Sequence, residues 1–385
     1  MRILLPLAAF PLIACVASAD ESTGSTSAEI SGAPDAINIG FNGDASQFPF
    51  LDDFFAKSDV PRPGPRLCHT YPGWNVAEQP AGSGSLSDST SRAWLEAWLR
   101  AAEGHCDEAL LSFKPPPGTA APSTSAFAAA FAKFRATSWA GWTGRISFTP
   151  WNEPNNGAGG GDGLGAPLSP EQAAAYYLAI RHACVAPDCK VAAGDLASNG
   201  EMYKDFRWSC PDDDVAPSKL CHAASYLDRY KNYIANHAND APYHLGPRFR
   251  PEYFAYHGWY DVNSYLDTGS HCSTVDDCTT RALLQNVGGS WGGAKIWDTE
   301  VGSGQDGTGF PDPADAPQAC GTAFLLRLSA DLSARIERVY YTRLYGGNGR
   351  LVDVTSGTTT YRPAFVVLAD HHTSYTPKAG EAACK

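Results

Sequence analysis

The chain has 385 residues, with 29 lysines and arginines against 41 aspartates and glutamates, a net charge of −12. That balance excludes nucleic acid and anionic membrane as the main partner, because both recruit basic patches. Hydrophobic residues at 43% and aromatics at 11% supply a packed core, which excludes global disorder, and neither a Gly-X-Y nor a heptad repeat is present.

Met1-Arg2 opens an apolar run from Ile3 to Ala19, broken by Pro6 and Pro11. Its length and its small terminal residues predict a secretory leader over 1–19 rather than a membrane span. Two cleavage readings stand side by side. Ala17-Ser18-Ala19 releases a soluble chain beginning at Asp20, whereas Leu12-Ile13-Ala14-Cys15 resembles a bacterial lipobox that leaves a lipidated Cys15 as a membrane tether. Residues 20–34, rich in Ser, Thr, Gly and Ala, read as a flexible linker, and 35–385 as one domain with no second linker. Setting Cys15 aside leaves an even number of the 11 cysteines, which points to an oxidising compartment. The close pairs Cys184/Cys189, Cys210/Cys221 and Cys272/Cys278, with Cys68/Cys106 and Cys320/Cys384, form the expected disulfide set. Zinc is not expected, since no C-x2-C pair recurs and His371-His372 lacks ligand spacing.

From residue 37 onward, short apolar runs alternate with amphipathic ones. Strands are predicted at Ile37–Phe41, Arg66–Tyr71, Ala109–Phe113, Arg145–Thr149, Lys190–Ala193, Tyr253–His257, Ala294–Thr299 and Val339–Leu344. Helices are predicted at Leu51–Lys57, Ser91–Glu103, Ser123–Trp139, Pro170–Val185, Ser225–Asn236, Asp276–Gln285, Ala316–Ala334 and Tyr361–His371. Ser169-Pro170-Glu171 is a start signal, an N-cap followed by a first-turn proline and acid. Eight strand–helix units in series predict an α/β fold, a single-domain (β/α)8 TIM barrel.

Two of these strands end in acids. The fourth runs into Trp151-Asn152-Glu153-Pro154-Asn155, and the seventh into Trp297-Asp298-Thr299-Glu300 ahead of Gly302. Barrel active sites lie at the C-terminal rim, where Glu153 and Glu300 would meet. A facing carboxyl pair suits glycosidic cleavage: one protonates the leaving oxygen, and the other attacks or stabilises an oxocarbenium-like centre. Their environments must separate the two pKa values, leaving the donor neutral and the nucleophile charged. Asp298 is the alternative acid on the seventh strand.

Trp151-Asn152-Glu153-Pro154-Asn155 resembles the strand-four motif of the clan A retaining glycoside hydrolases, as in families 39 and 5, and Glu300 matches the position of that clan's nucleophile. The resemblance implies Glu153 as general acid/base, Glu300 as nucleophile and Asn152 as the partner of the sugar 2-hydroxyl. It also implies Arg66 as the strand-two arginine contacting the nucleophile. His257-Gly258-Trp259-Tyr260 is similar to the clan's His-x-Tyr region with one extra residue, so Trp259 and Tyr260 are both candidates for orienting Glu300. After strand eight, Arg343, Tyr345 and Gly346 stand where the clan carries a tryptophan.

Trp74, Trp259 and Tyr260 fall in rim loops suited to stacking on a sugar face, and Tyr345 and His257 complete the expected substrate-binding set. Asp195 and Asn199 point to the same rim. Trp151 and Trp297 read equally as barrel core or sugar platforms, Trp94, Trp98, Trp139 and Trp142 as packing, and His69 as structural. Gly157–Gly165 reads as a rim loop, since no Gly-Lys-Ser/Thr follows to make a phosphate cradle.

The expected activity is retaining hydrolysis of an extracellular carbohydrate by a monomeric enzyme, secreted or anchored at the cell surface, without metal or organic cofactor. Two rivals are a non-catalytic glycan-binding barrel and a serine esterase using Ser290 in Gly288-Gly289-Ser290-Trp291-Gly292. The esterase elbow needs a strand before the serine and a helix after it, the reverse of the predicted order.

Overall fold

A computed structural model describes residues 37–57, 64–139, 141–155, 168–184, 189–197, 207–208, 221–269, 271–274, 278–302, 314–345 and 349–385. For residues 207–208, 221–225 and 290 it describes the backbone alone. The leader, Cys15, the linker, Cys210, Asn199 and the Gly157–Gly165 loop lie outside this set.

Eight strands form one parallel sheet: β1 Asn38–Asn42, β2 Leu67–Thr70, β3 Glu108–Ser112, β4 Arg145–Thr149, β5 Ala192–Leu196, β6 Tyr253–His257, β7 Lys295–Val301 and β8 Ile336–Thr342. Their order is β4-β3-β2-β1-β8-β7-β6-β5, with every neighbouring pair parallel. The two ends approach each other as well, through a parallel bridge from Phe148 to Val191 and a 2.9 Å bond from the Phe148 N–H to the Lys190 carbonyl. The sheet is thus a nearly closed barrel, and with the helices between its strands the fold is the (β/α)8 barrel that the alternation predicts.

Leu67, Leu110, Ala192, Ala255, Trp297 and Tyr340, from six different strands, fill the barrel interior as one buried cluster. Gly40 on β1 makes room for them: a Cβ there would lie 2.7 Å from both the Leu67 Cβ and the Tyr340 ring. Trp297 is therefore core. A second, larger apolar layer lies between barrel and helices.

The helices are α1 Phe48–Lys57, α2 Arg92–Ala102, α3 Thr124–Ala136, α4 Pro170–Ala183, α5 Ala223–His237, α6 Trp259–Thr268, α7 Thr279–Ser290, α8 Asp315–Asp331 and α9 Pro363–Ala369. Ser91, Ser123 and Ser169 each accept a backbone N–H three residues on, which fixes the starts of α2, α3 and α4. Two departures from expectation matter. Trp259 and Tyr260 open a helix, α6, rather than lying in a loop, so two helices follow β6. A hairpin, Val352–Thr355 with Thr358–Tyr361, precedes α9. Four of the five expected cysteine pairs, Cys68–Cys106, Cys184–Cys189, Cys272–Cys278 and Cys320–Cys384, stand at disulfide distance. No described helix is long and apolar enough to cross a membrane.

Beneath the interior cluster, Glu108, the first residue of β3, meets Arg338 of β8 at 2.5 Å, both fully buried. The guanidinium also stacks 4.2 Å from the Trp297 ring. Burial pushes the Glu108 carboxyl up, but Arg338 outweighs it and holds the group below its ordinary range. Arg338→Met would leave that carboxylate uncompensated in the barrel floor, at a cost of about 3–5 kcal/mol. Urea denaturation should register this as a lower midpoint, restored in large part in an E108Q/R338M double variant. An unchanged midpoint in the single variant would contradict the assignment.

Candidate active site

Glu153 follows the C-terminal end of β4. The segment is pinned to its neighbours: the Asn152 N–H donates to the Phe113 carbonyl at 2.7 Å, the Glu153 N–H to the Asp195 carbonyl at 3.0 Å, and the Ala197 N–H to the Asn155 side chain at 2.8 Å. Under these ties Glu153 adopts φ +47°, in the left-handed region that a side-chain-bearing residue enters only at a cost. Trp151 packs against Phe127 and Tyr176 and is core, not a sugar platform.

His257, the last residue of β6, joins the two ends of the site. Its Nδ1 lies 2.9 Å from Glu153 Oε1, and its Nε2 lies 3.6 Å from Glu300 Oε1 and 3.5 Å from Asp195 Oδ1. Glu153 and Glu300, 147 residues apart in sequence, thus converge on opposite nitrogens of one ring. The ring is fully buried, while the two glutamate side chains keep 18% and 17% exposure, an edge that a substrate can reach. Burial disfavours charge on His257, but Glu300, Asp195 and Glu153 together outweigh it and raise the imidazole well above its ordinary value. It is an imidazolium at neutral pH. His257, expected among the substrate-binding residues, is thus a buried ring that joins the two carboxyl groups.

Glu300 also accepts from the Tyr71 hydroxyl, which in turn takes a hydrogen bond from the Asn42 side-chain amide at the end of β1. Burial pushes the Glu300 carboxyl up, His257 pulls it down, and the charges of Glu153 and Asp195 push it up again, to about 7. The raised group is thus Glu300, the one expected to be charged. The main reason is burial, to which repulsion by Glu153 adds: Glu300 is the second of two neighbouring carboxyls to ionise, so the pair retains one proton below about pH 7.

Other predicted residues fall in different places. Arg66 precedes β2 at the opposite, N-terminal mouth, paired at 3.5 Å with Asp52 and with Asp107, so it does not contact Glu300. Tyr71 bonds Glu300 instead. Asp195 is fully buried and accepts from Thr149 at 2.7 Å and from Thr299, so it lies below the floor and not on the substrate face. Asp298 is buried against the Gly258 N–H at 2.8 Å; a register shift where β6 pairs with β7 separates it from Glu300. His69 is fully buried, as a structural histidine should be. Ser290 ends α7 with β7 following, which is not the strand–turn–helix of an esterase elbow.

Trp74, Trp259, Tyr260 and Tyr345 all follow the C-terminal ends of strands and are half-buried on the same mouth as the two glutamates. Trp74 is held by a 3.0 Å bond from its N–H to the Lys114 carbonyl, and Tyr345 packs 4.7 Å from Phe50. Asn152 is buried with its side-chain oxygen lacking a partner among the described residues. The Asp261–Cys272–Cys278 cluster is not a metal centre: the cysteines pair with each other, and Asp261 accepts from the N–H groups of Thr279 and Thr280 at the start of α7. Tyr71, Asn42 and the hub role of His257 were not foreseen. A signal for them exists, because the apolar strands repeatedly end in a polar residue: Asn42, Thr149, His257 and Thr342.

No family model matches the chain, and no curated protein is similar in sequence. Solved structures do match in fold. The GH39 enzyme from Xanthomonas axonopodis pv. citri superposes with TM-score 0.53 at 11% identity, over 88% of this chain and 66% of that one. PbGH5A, a glycoside hydrolase family 5 enzyme from Prevotella bryantii, gives 0.50 at 13%, over 88% and 97%. A conserved exported protein from Bacteroides fragilis gives 0.50 at 13%, over 86% and 77%. At such identities the likeness is one of fold alone: the chain shares the (β/α)8 barrel architecture of these structures.

Replacing Glu153 by Gln removes a negative neighbour of Glu300 while keeping its shape. The Glu300 carboxyl should then titrate clearly below 7, read as the midpoint of its 13C side-chain resonance. A midpoint that stays at about 7 would contradict the coupling.

Proposed function

We propose that the chain is a retaining β-glycoside hydrolase acting on an extracellular oligo- or polysaccharide. The observation that carries this reading is the convergence of Glu153 and Glu300 on the two nitrogens of the His257 imidazolium, at the mouth where barrel enzymes react. In the productive form the one proton of the pair resides on Glu153 and Glu300 is charged. Glu300 attacks the anomeric carbon as Glu153 protonates the departing oxygen, leaving a glycosyl ester. Esterification cancels the Glu300 charge, so Glu153 becomes a stronger acid and loses its hold on a proton. It then acts as base toward the water that cleaves the ester.

The remaining groups have supporting parts. The His257 charge and the Tyr71 hydroxyl favour ionised Glu300. Asn152, buried beside Glu153, offers its amide to the sugar 2-hydroxyl, which would also serve its unpaired oxygen. Trp74, Trp259, Tyr260 and Tyr345 supply apolar faces for neighbouring sugars. Export through the 1–19 leader accords with the cysteine pairs, and Cys15 offers an anchor if the lipobox is used. The residues named require no metal or organic cofactor for this chemistry.

Against a panel of aryl β-glycosides and polysaccharides, Glu300→Ala and Glu153→Ala should each lower kcat by about 10²–10⁴ or more with the circular dichroism unchanged. Azide should rescue both: entering from the nucleophile's side in Glu300→Ala it gives the inverted glycosyl azide, and in Glu153→Ala it gives the retained one. Wild-type turnover in either variant would remove its assignment. Because loss of the shared proton abolishes the acid, kcat/KM should fall as pH rises through about 7. A profile flat to pH 9 would contradict this.

A further inference from the structure

Below the carboxylate pair lies a second polar chain that the proposed reaction does not use. From the Thr299 carbonyl it passes to His69 Nδ1 at 3.1 Å, from His69 Nε2 to Ser112 Oγ at 2.8 Å, from Ser112 Oγ to Thr149 Oγ1 at 2.7 Å, and from Thr149 Oγ1 to Asp195 Oδ2 at 2.7 Å. His69, Ser112, Thr149, Asp195 and Thr299 are all buried, at the ends of β2, β3, β4, β5 and β7.

Counting hydrogens along this chain gives a definite result. It has four contacts, each at hydrogen-bonding distance; the Tyr71 hydroxyl, 3.4 Å from His69 Nδ1, adds no hydrogen to them because it gives its own to Glu300. Both ends, a carbonyl and a carboxylate, only accept. A neutral imidazole brings one hydrogen, and each hydroxyl brings one, whichever tautomer the ring adopts. Three hydrogens cannot bridge four contacts. With a neutral ring and an ionised aspartate, one contact would set lone pair against lone pair in the barrel interior, at the cost of an unmet buried hydrogen bond.

The geometry points to a fourth proton stored in this chain at neutral pH, shared between His69 and Asp195. In one form His69 is an imidazolium and Asp195 ionised. In the other, each hydrogen has moved one step: Nε2 gives its proton to Ser112, Ser112 to Thr149 and Thr149 to Asp195, leaving a neutral imidazole and a carboxylic acid. No proton enters or leaves. Either form adds one positive charge to the floor of the active site. Taken alone, burial pushes the His69 imidazolium down to about 4. Burial pushes the Asp195 carboxyl up, but His257 outweighs it and holds that group at about 2. Neither group keeps the proton by itself, so it is the hydroxyl chain that must retain it. The groups facing the chain are Tyr71 and Tyr340 beside His69, and His257 and Tyr230 beside Asp195, with Glu153 and Glu300 beyond His257. His69 and Asp195 are thereby positioning residues that set the ionisation of the pair above them. That last consequence rests on the proposed hydrolase reading; the stored proton does not.

The test uses the full chain with 15N-histidine and 13C-aspartate, the His69 and Asp195 signals being assigned through His69→Gln and Asp195→Asn. At pH 7 the wild type should show either a doubly protonated His69 ring or a protonated Asp195 carboxyl, or fast exchange between them. A neutral ring together with an ionised carboxylate would overturn the proposal. Thr149→Val interrupts the chain at constant shape, whereas Thr149→Ser preserves it. The valine variant should lose the stored proton and shift the alkaline limb of kcat/KM to higher pH, because the pair has lost a nearby positive charge; the serine variant should follow the wild type. Valine and serine variants that both titrate as wild type would overturn the proposal. Should the valine variant fail to fold, the wild-type spectra decide, and they do so even in a chain that hydrolyses no glycoside.

Discussion

The active end of this barrel depends on one buried charge. An imidazolium taken fully out of water costs several kcal/mol unless anionic groups surround it. His257 meets three carboxyl groups, those of Glu153, Asp195 and Glu300, at the ends of β4, β5 and β7, the two glutamates sharing one proton below about pH 7. The converse holds too, since three carboxyl groups so close would not keep their charge there without a cation. The ring therefore acts as the common partner that draws distant parts of the sequence to one mouth. The local backbone fits around it. Gly258 has no Cβ, which would otherwise lie 2.2 Å from an Asp298 oxygen, and its N–H is free to bond that side chain. The register shift between β6 and β7 sets Glu300 level with His257.

The opposite end of the barrel is built for stability instead. There Glu108 and Arg338 satisfy each other beneath the interior cluster, and Trp297 covers the guanidinium. At the end that carries the candidate site the structure tolerates strain: Glu153 and Asp195 both adopt positive φ, at +47° and +69°, and the Asn152 side-chain oxygen has no partner among the described residues. Such costs concentrate where a site must be held in one arrangement before substrate arrives.

Much of this was legible in the sequence. Apolar runs located all eight strands within a few residues, and serine caps fixed α2, α3 and α4 because capping is a local interaction. The Trp-Asn-Glu-Pro and Trp-Asp-Thr-Glu strand ends pointed to the two glutamates. What failed was everything set by side chains from other strands. The family resemblance implied Arg66 as a contact of Glu300, but a residue that opens a strand lies at the far mouth, and Asp52 and Asp107 hold it there. Tyr71 escaped notice since its partners, Asn42 and Glu300, are remote in sequence. Trp259 and Tyr260, expected in a rim loop after the sixth strand, instead open the short helix α6, which ends at Gly269 in the left-handed conformation. Asp195 reads as a surface acid until Thr149, Thr299 and His257 are found around it.

The central claim is that Glu300 attacks a sugar while Glu153 supplies the proton. Its most direct test is to incubate the enzyme with 2-deoxy-2-fluoro-β-glycosides bearing a good leaving group, then digest it and measure the peptide masses. The account predicts a single glycosylated peptide with the sugar esterified to Glu300, its formation prevented in Glu300→Ala. Attachment to Asp298 or Glu153, or turnover of the parent glycoside with no trapped ester and an inverted product, would contradict it.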